Sequence, residues 1–320
     1  MRLSKIISTS FLLFGFVLAT ASTPTNDVDL FKKELVEKFK FKANEVDHAL
    51  KNAKFNEKII TTMNTPYENK SYTDYRRLFI TPKRISEGQE FYKQNKSYLN
   101  KISKQYGVAP EIIVAIIGVE SNYGKRTTHY STLDSLYTLA FHYPKRAKFF
   151  RYELTQFLIL CRELGKSPES VYGSYAGALG IPQFMPSSYR HYALSTTNPK
   201  KPNLFDNKMD AIASIGNYLN HFGWVAGQTP AVMLDLANRN GKRVEFGKVY
   251  TAAELKTKGI TPKGKLADKE KGKLLQIDED TTTPTTWMGL ANFDVIKKYN
   301  KSNLYALAVT ELAAGIKNKS

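Results

Sequence analysis

Residues 112–119 read Ile-Ile-Val-Ala-Ile-Ile-Gly-Val, a run without a polar side chain, and the run ends on Glu120. Periodicity alone leaves a buried strand open for such a stretch. Pro110 and Glu111, however, are the proline and first-turn acid that open helices. The segment is read as a helix, and a helix apolar on every side has to lie inside its domain. Around it, apolar positions recur at helical spacing. Residues 26–63 place Leu30, Leu35, Phe39, Val46 and Leu50 in this way, and 90–107 reads as a helix stopped by Gly107. Further helices are expected at 131–142, 145–164, 210–221 and 303–314. In 145–164 the side chains of Phe150, Leu154, Phe157, Leu158, Cys161 and Leu164 share one face, and Gly165 ends the helix.

Two stretches depart from this rhythm. Residues 67–86 read as a surface segment, although Tyr72, Tyr75, Arg76, Arg77 and Phe79 are more than a loop requires. Between 229 and 286 the pattern shortens to β-prone pieces at 243–246 and 274–277, separated by turn residues and a lysine-rich stretch at 263–273. Because helix resumes at 303, the β-containing part interrupts a helical domain. The fold class expected is α+β, mainly α.

Composition adds a compartment and a sign of charge. Arg2 and Lys5 precede an apolar run over 6–19 that ends in Ala19-Thr20-Ala21, the pattern of a secretory signal peptide. The run is short for a membrane span, which needs roughly 20 apolar residues, and no later segment comes nearer, so no span is expected in the mature chain; an uncleaved signal anchor is the alternative to a cleaved leader. The formal charge is +18; 47 basic residues less Arg2 and Lys5 leave 45 against 29 acidic ones, a net of +16. That charge suits an anionic partner without choosing among nucleic acid, acidic lipid and cell-wall polymer. The single cysteine, Cys161, excludes an internal disulfide, and its place on an apolar helix face reads as packing.

The candidate chemistry is narrow. H-E-x-x-H, C-x-x-C, G-x-S-x-G and P-loop motifs are absent, and the five histidines are scattered; His129, His142 and His221 read as packing or surface positions. Glu120 stands apart, because a carboxylate at the end of an apolar helix loses water, which favours its protonated form and suits a general acid for a glycosidic oxygen. The alternative is a turn cap, or a surface pair with Lys125 or Arg126. A second constellation runs from Ser174 through Gln183-Phe184-Met185-Pro186-Ser187-Ser188, where small residues permit close backbone approach and Ser174 and Gln183 offer hydroxyl and amide groups. Such a surface suits an acetamido sugar, with Phe184, Tyr189 and Tyr218 as stacking rings, or else is a tight structural turn.

These segments resemble the lytic murein transglycosylase B family. Ile117-Gly118-Val119-Glu120-Ser121-Asn122-Tyr123-Gly124 is similar to one of its active-site motifs, and the Gln183-to-Ser188 segment to another. Tyr75-Arg76-Arg77-Leu78-Phe79-Ile80 resembles its upstream tyrosine motif, Tyr143-Pro144-Lys145-Arg146-Ala147 its basic turn, and Asn217-Tyr218 its later aromatic. Tyr299-Asn300-Lys301-Ser302-Asn303-Leu304-Tyr305-Ala306 is similar to its terminal motif, so the likeness spans about 27–313. It implies a lysozyme-like helical core at 91–229 after a signal peptide at 1–21 and a helical N-terminal region at 22–90. A small β-containing insert at 230–286 and a segment at 287–320 completing the core and cleft would follow.

The resemblance also implies a periplasmic or secreted enzyme that cleaves the MurNAc–GlcNAc β-1,4 bond of peptidoglycan without water and without a cofactor, leaving 1,6-anhydro-MurNAc ends. Glu120 would be its sole acid/base. Tyr75, Arg146, Ser174, Gln183, Phe184, Tyr218, Tyr299, Asn300 and Tyr305 would bind the glycan. The partners implied are glycan strands, with cell-wall synthesis or remodelling proteins as further candidates; no nucleic acid is expected, since no recognised binding motif is present. A hydrolytic muramidase of the same fold and a non-catalytic peptidoglycan-binding protein are the competing readings. Some members hold calcium in an acidic loop after the Q-F-M-P-S-S segment. Here that loop carries Pro199-Lys200-Lys201-Pro202 and little acid, so no metal site is expected. No lipid-accepting cysteine follows the leader.

Overall fold

A computed structural model describes residues 24–65, 71–125, 129–239, 241–277 and 284–317. The expected signal peptide lies outside them. Three helices come first, α1 (Pro24–Phe39), α2 (Ala43–Asn52) and α3 (Glu57–Met63), followed by α4 (Tyr72–Phe79), α5 (Pro82–Tyr106) and α6 (Pro110–Ser121). The short strand β1 (Tyr130–Ser131) leads into α7 (Thr132–His142) and α8 (Ala147–Leu164), and its partner β2 (Tyr172–Gly173) precedes α9 (Pro186–Tyr192) and α10 (Lys208–His221). Then come β3 (Ala231–Asp235), β4 (Val249–Thr251), α11 (Ala252–Thr257), β5 (Thr261–Pro262), β6 (Lys271–Ile277) and β7 (Thr285–Gly289). The helices α12 (Ala291–Tyr299) and α13 (Asn303–Lys317) finish the described chain.

The apolar segment is the buried helix α6, with every residue from Ile112 to Val119 inside the protein. Helices α5, α10 and α13 pack around it. Each of its Ile and Val side chains contributes roughly 1.5–3 kcal/mol by leaving water. The helix begins at Pro110 and stops where Asn122 and Tyr123 turn left-handed, with φ of 50° and 61°. Tyr123 then folds back across it: its hydroxyl donates to Arg84 O at 2.7 Å, while Arg84 Nη1 donates to Gly118 O at 2.5 Å. A Cβ on Gly118 would lie 2.7 Å from that hydroxyl, so only glycine lets Tyr123 close over the end of α6.

The sheet of five antiparallel strands has the order β4-β6-β7-β3-β5 and is inserted between α10 and α12. A second, smaller apolar cluster supports it, built around Leu234, Tyr250, Leu274 and Met288. Among the described residues no single helix is long and apolar enough to cross a membrane.

Four local expectations are corrected. Residues 243–246 form no strand; the strand is β4, at Val249–Thr251, and Phe246 is 43 % exposed, so the alternation there does not mark a buried face. Within 67–86 the chain forms α4 and the start of α5 instead of a surface segment, and Tyr72 and Tyr75 are buried. They lie three residues apart on one helix face, with Ser71 accepting from Asp74 N as the N-cap. The helix expected at 90–107 begins at Pro82, with Thr81 as its N-cap, and the sheet runs on to Gly289. Cys161 is buried as expected, and burial pushes its thiol up to about 12.

Candidate active site

Glu120 is the last full turn of α6, half-buried, at the point where the helix stops. Ser121 turns inward instead, donating to Ile117 O at 3.2 Å and accepting from Gly124 N at 3.0 Å. The carboxylate is therefore carried on a rigid helix end. The Tyr305 hydroxyl of α13 donates to Glu120 Oε1 at 2.7 Å. Burial first, and then the charge of Glu120, hold the Tyr305 phenol well above its ordinary pKa, so it remains a donor. The same two causes raise Tyr299.

From Tyr305 the aromatic contacts run outward. Its ring stacks on Tyr299 with centroids 6.4 Å apart and 13° between planes. Tyr299 meets Phe184 at 5.6 Å and Tyr218 at 4.9 Å, and Phe184 meets Tyr218 at 5.5 Å. Hydroxyls tie the cluster to the backbone: Tyr299 donates to Pro182 O at 2.6 Å and Tyr218 to Lys298 O at 2.7 Å. Phe184 and Tyr218 are buried, so their rings form the wall behind the site, and Tyr299 is only half-buried; Tyr189, expected as a stacking ring, is buried elsewhere, against Phe205 with its hydroxyl bonded to Pro202 O.

The segment after β2 is held by its own backbone. Ser174 Oγ accepts from Ala176 N and Ala178 N, and Leu179 and Phe184 exchange backbone bonds across a tight loop. Gly177 at φ 83° is required there, because a Cβ would stand 2.5 Å from Leu136. Gln183 is also left-handed, at φ 49°, and its amide Nε2 donates to Gly180 O at 2.7 Å.

The other expected residues sit as follows. Tyr75 is buried, packs on Phe79 at 4.9 Å and lies close enough to Tyr305 for ionisation of one phenol to oppose that of the other. Asn300 caps the end of α12 directly after Tyr299, and its Oδ1 accepts from Ser302 N at 3.0 Å. Arg146 is exposed, stacked over Phe149 at 4.3 Å and Phe150 at 5.1 Å, and faces Glu153. Contacts thus join Glu120, Tyr305, Tyr299, Phe184 and Tyr218 directly, with Tyr75, Gln183 and Asn300 adjoining them.

Sequence reasoning passed over Glu153 and Asp210, the two buried carboxylates among the described residues. Glu153 accepts from Ser187 N at 2.9 Å and Ser187 Oγ at 2.7 Å, which pins the start of α9 and hence the segment that carries Gln183 and Phe184. Burial raises its carboxyl pKa, partly offset by the two Ser187 bonds. Its signal was present, since Glu153 sits three and four residues from Phe150 and Phe157 on the apolar face of α8. Asp210 accepts from Thr196 N, Thr196 Oγ1 and Asn203 N at 2.8, 2.7 and 2.9 Å, closing the loop before α10.

The family model described as Transglycosylase SLT domain matches residues 24–314. The chain is 40 % identical over 248 residues to the membrane-bound lytic murein transglycosylase B of Escherichia coli K12, covering 78 % of this chain and 68 % of that one. Its structure is similar to that of the E. coli lytic transglycosylase Slt35 in complex with bulgecin A, with a TM-score of 0.82 and 37 % identity over 91 % of this chain and 92 % of that one. It is also similar to Pseudomonas aeruginosa SltB3 in complex with NAG-anhNAM-pentapeptide, at TM-score 0.79 and 27 % identity over 92 % and 80 % of the two chains.

Slt35 has also been solved with calcium. In the present chain the corresponding kind of site does not fit a hard cation. Both oxygens of Asp210 are taken by N–H and O–H donors, the side-chain oxygens of Asn203 and Asn207 accept from backbone, and Lys200 and Lys201 bring positive charge to the same loop. Among the described residues no three His, Cys, Asp or Glu side chains come together as a metal site.

Proposed function

The chain belongs to the Transglycosylase SLT domain family, and from that premise we propose that Glu120 is the single acid/base of a lytic transglycosylase acting on peptidoglycan. The substrate bond is the MurNAc–GlcNAc β-1,4 linkage. Protonated Glu120 gives its proton to the glycosidic oxygen as the C1–O4 bond breaks. The resulting carboxylate then takes the proton of the muramoyl C6 hydroxyl as O6 bonds to C1. Atoms balance without water, the leaving strand keeps its new O4 hydroxyl, and the product carries a 1,6-anhydro ring.

The observation that carries this reading is the 2.7 Å bond from Tyr305 to Glu120 Oε1. A phenol that stays protonated holds the carboxyl group in place through Oε1. When the carboxylate forms, the same bond becomes charge-assisted and stabilises it. The two buried carboxylates, Glu153 and Asp210, are committed to closing loops, which agrees with a mechanism that uses one acid. Half-buried Tyr299, backed by the buried rings of Tyr218 and Phe184, and the Ser174-to-Gln183 segment supply the aromatic and amide surface for the sugars. Arg2, Lys5 and the apolar run after them support export, with the periplasm as the place of action.

Digestion of purified peptidoglycan by the mature protein and by Glu120→Gln, read by mass spectrometry, tests the assignment. Anhydro-muramoyl ends, each one water lighter than a hydrolysis product and absent with the variant, are the expected result. Reducing ends would make the protein a muramidase. Binding without release by either form would make it a non-catalytic peptidoglycan-binding protein.

A further inference from the structure

Helix α6 has two ends, and a second concave surface lies at the one remote from Glu120. A groove of about 500 Å³ opens between the start of α6, the last turns of α13 and the edge of the inserted sheet at β3. From Ile112 to Glu120 is eight residues, about 12 Å along the helix axis at 1.5 Å per residue. The groove is thus separate from the acid/base while sharing its central helix.

Three features give this groove a chemistry. Its floor is apolar, built from Ile112, Ala231, Val232 and the edges of Trp224 and Trp287. Its charges do not cancel: Glu111 pairs with Lys317 at 3.3 Å and Glu311 with Arg76 at 2.7 Å, whereas Lys263 and Lys265 are exposed and, among the described residues, have no acidic partner. Its wall includes an open sheet edge. Strand β5 pairs only with Leu234 and Asp235, so β3 has no strand beside Ala231 and Val232 on that side. Leu290 N donates to Pro230 O and Lys263 N to Met233 O, and the alternation of an antiparallel ladder then turns the backbone groups of Ala231 toward the groove, where Ala231 O accepts only a long 3.5 Å bond from Thr229 Oγ1.

An apolar floor, a cationic rim and a strand edge with no neighbouring strand together fit an extended peptide that carries carboxylates and small apolar side chains. We propose that this groove is a second, non-catalytic site that binds the acidic stem peptide of peptidoglycan. The proposal rests on the reading that the substrate is peptidoglycan. A stem held there keeps a neighbouring glycan strand near the cleft, which raises the effective concentration of cleavable bonds without altering the chemistry at Glu120.

The chain contains two tryptophans, and both line the groove, so their fluorescence reports it selectively. The experiment titrates the full-length mature protein with free stem tetrapeptide, which has no glycosidic bond and is not turned over. A saturable change in tryptophan emission is expected, weakened about tenfold or more in a Lys263→Glu/Lys265→Glu double variant and weakened by added salt. The variant should keep the wild-type melting temperature and release anhydro ends from stem-stripped glycan strands at the wild-type rate. An unchanged emission, equal binding by the double variant, or equal binding of a stem whose carboxyls are blocked as amides would overturn the proposal. The assay on stripped strands reads the catalytic assignment separately, so failure of one is not mistaken for failure of the other.

Discussion

Glu120 and Glu153 are both carboxylates set into apolar helices, yet the fold treats them in opposite ways. Glu153 lies mid-helix in α8, 2 % exposed, and spends both oxygens on Ser187. Glu120 stands where α6 stops, half-buried, with a phenol on Oε1. Position along the helix makes the difference. A mid-helix carboxylate is enclosed by the neighbours that bury its own face, and it can persist only with its oxygens satisfied. At a helix end the chain turns away, and the group stays partly exposed. The first arrangement holds a loop, while the second sets a carboxyl group at the surface of a rigid helix end.

Changing each carboxylate to its amide should separate the two roles. Glu120→Gln is expected to lower the release of anhydro-muropeptides by more than about 10³-fold, because proton donation and abstraction are both lost. Its amide oxygen still accepts from Tyr305, so the melting temperature should stay within about 2 °C, a change of under about 0.5 kcal/mol. A variant that digests peptidoglycan at a tenth of the wild-type rate would remove Glu120 from the mechanism. Tyr305→Phe sharpens the same point by deleting one charge-assisted bond, worth about 1.5–3 kcal/mol. About a ten- to hundred-fold fall in kcat with little change in KM is expected from steady-state digestion; a pure KM effect would mean that Tyr305 only binds sugar.

Glu153→Gln should act on stability, by about 1–3 kcal/mol in denaturant unfolding, since the amide satisfies only one of the two Ser187 donors well. The pH dependence has a definite sign. Burial raises the folded-state pKa of Glu153 above its unfolded value, so the folded protein binds the extra proton between the two. Stability from this group is therefore fully present below the ordinary carboxylate range and is lost as pH rises through the raised folded value. The amide has no such titration. The gap in stability between wild type and Glu153→Gln should thus be wider at pH 4 than at pH 7, and the opposite trend would contradict the burial argument.

Much of this was readable from residue order because α6 is apolar on every side and opens on Pro110 and Glu111, which together read as a buried helix ending on Glu120. The partner of Glu120 was not readable from spacing, since Tyr305 comes 185 residues later and reaches it only through the packing of α13 on α6. Helix α4 was missed because its buried face consists of tyrosines, which also belong on surfaces. The strand expected at 243–246 failed because alternation in so short a piece fixes neither register nor the face that is covered. Glu153 was overlooked although its position on the apolar face of α8 was plain from helical spacing; treating the face as a list of apolar residues hid the polar one inside it.

The smallest effect expected is that of calcium, and it probes a third carboxylate. Asp210 is buried like Glu153 and likewise spent, its three donors coming from Thr196 and Asn203 across the loop before α10. A hard cation there would have to displace those donors and approach Lys200 and Lys201, gaining few oxygens in return. Millimolar calcium should therefore leave the melting temperature unchanged, and a chelator should do the same. Asp210→Asn, by contrast, should destabilise the protein by about 1–3 kcal/mol, because an amide cannot accept from all three donors. A calcium-dependent rise of several degrees in the wild type would show that the loop opens to exchange its internal hydrogen bonds for metal ligands. Asp210 would then resemble Glu120, a carboxylate kept for a ligand, more closely than Glu153.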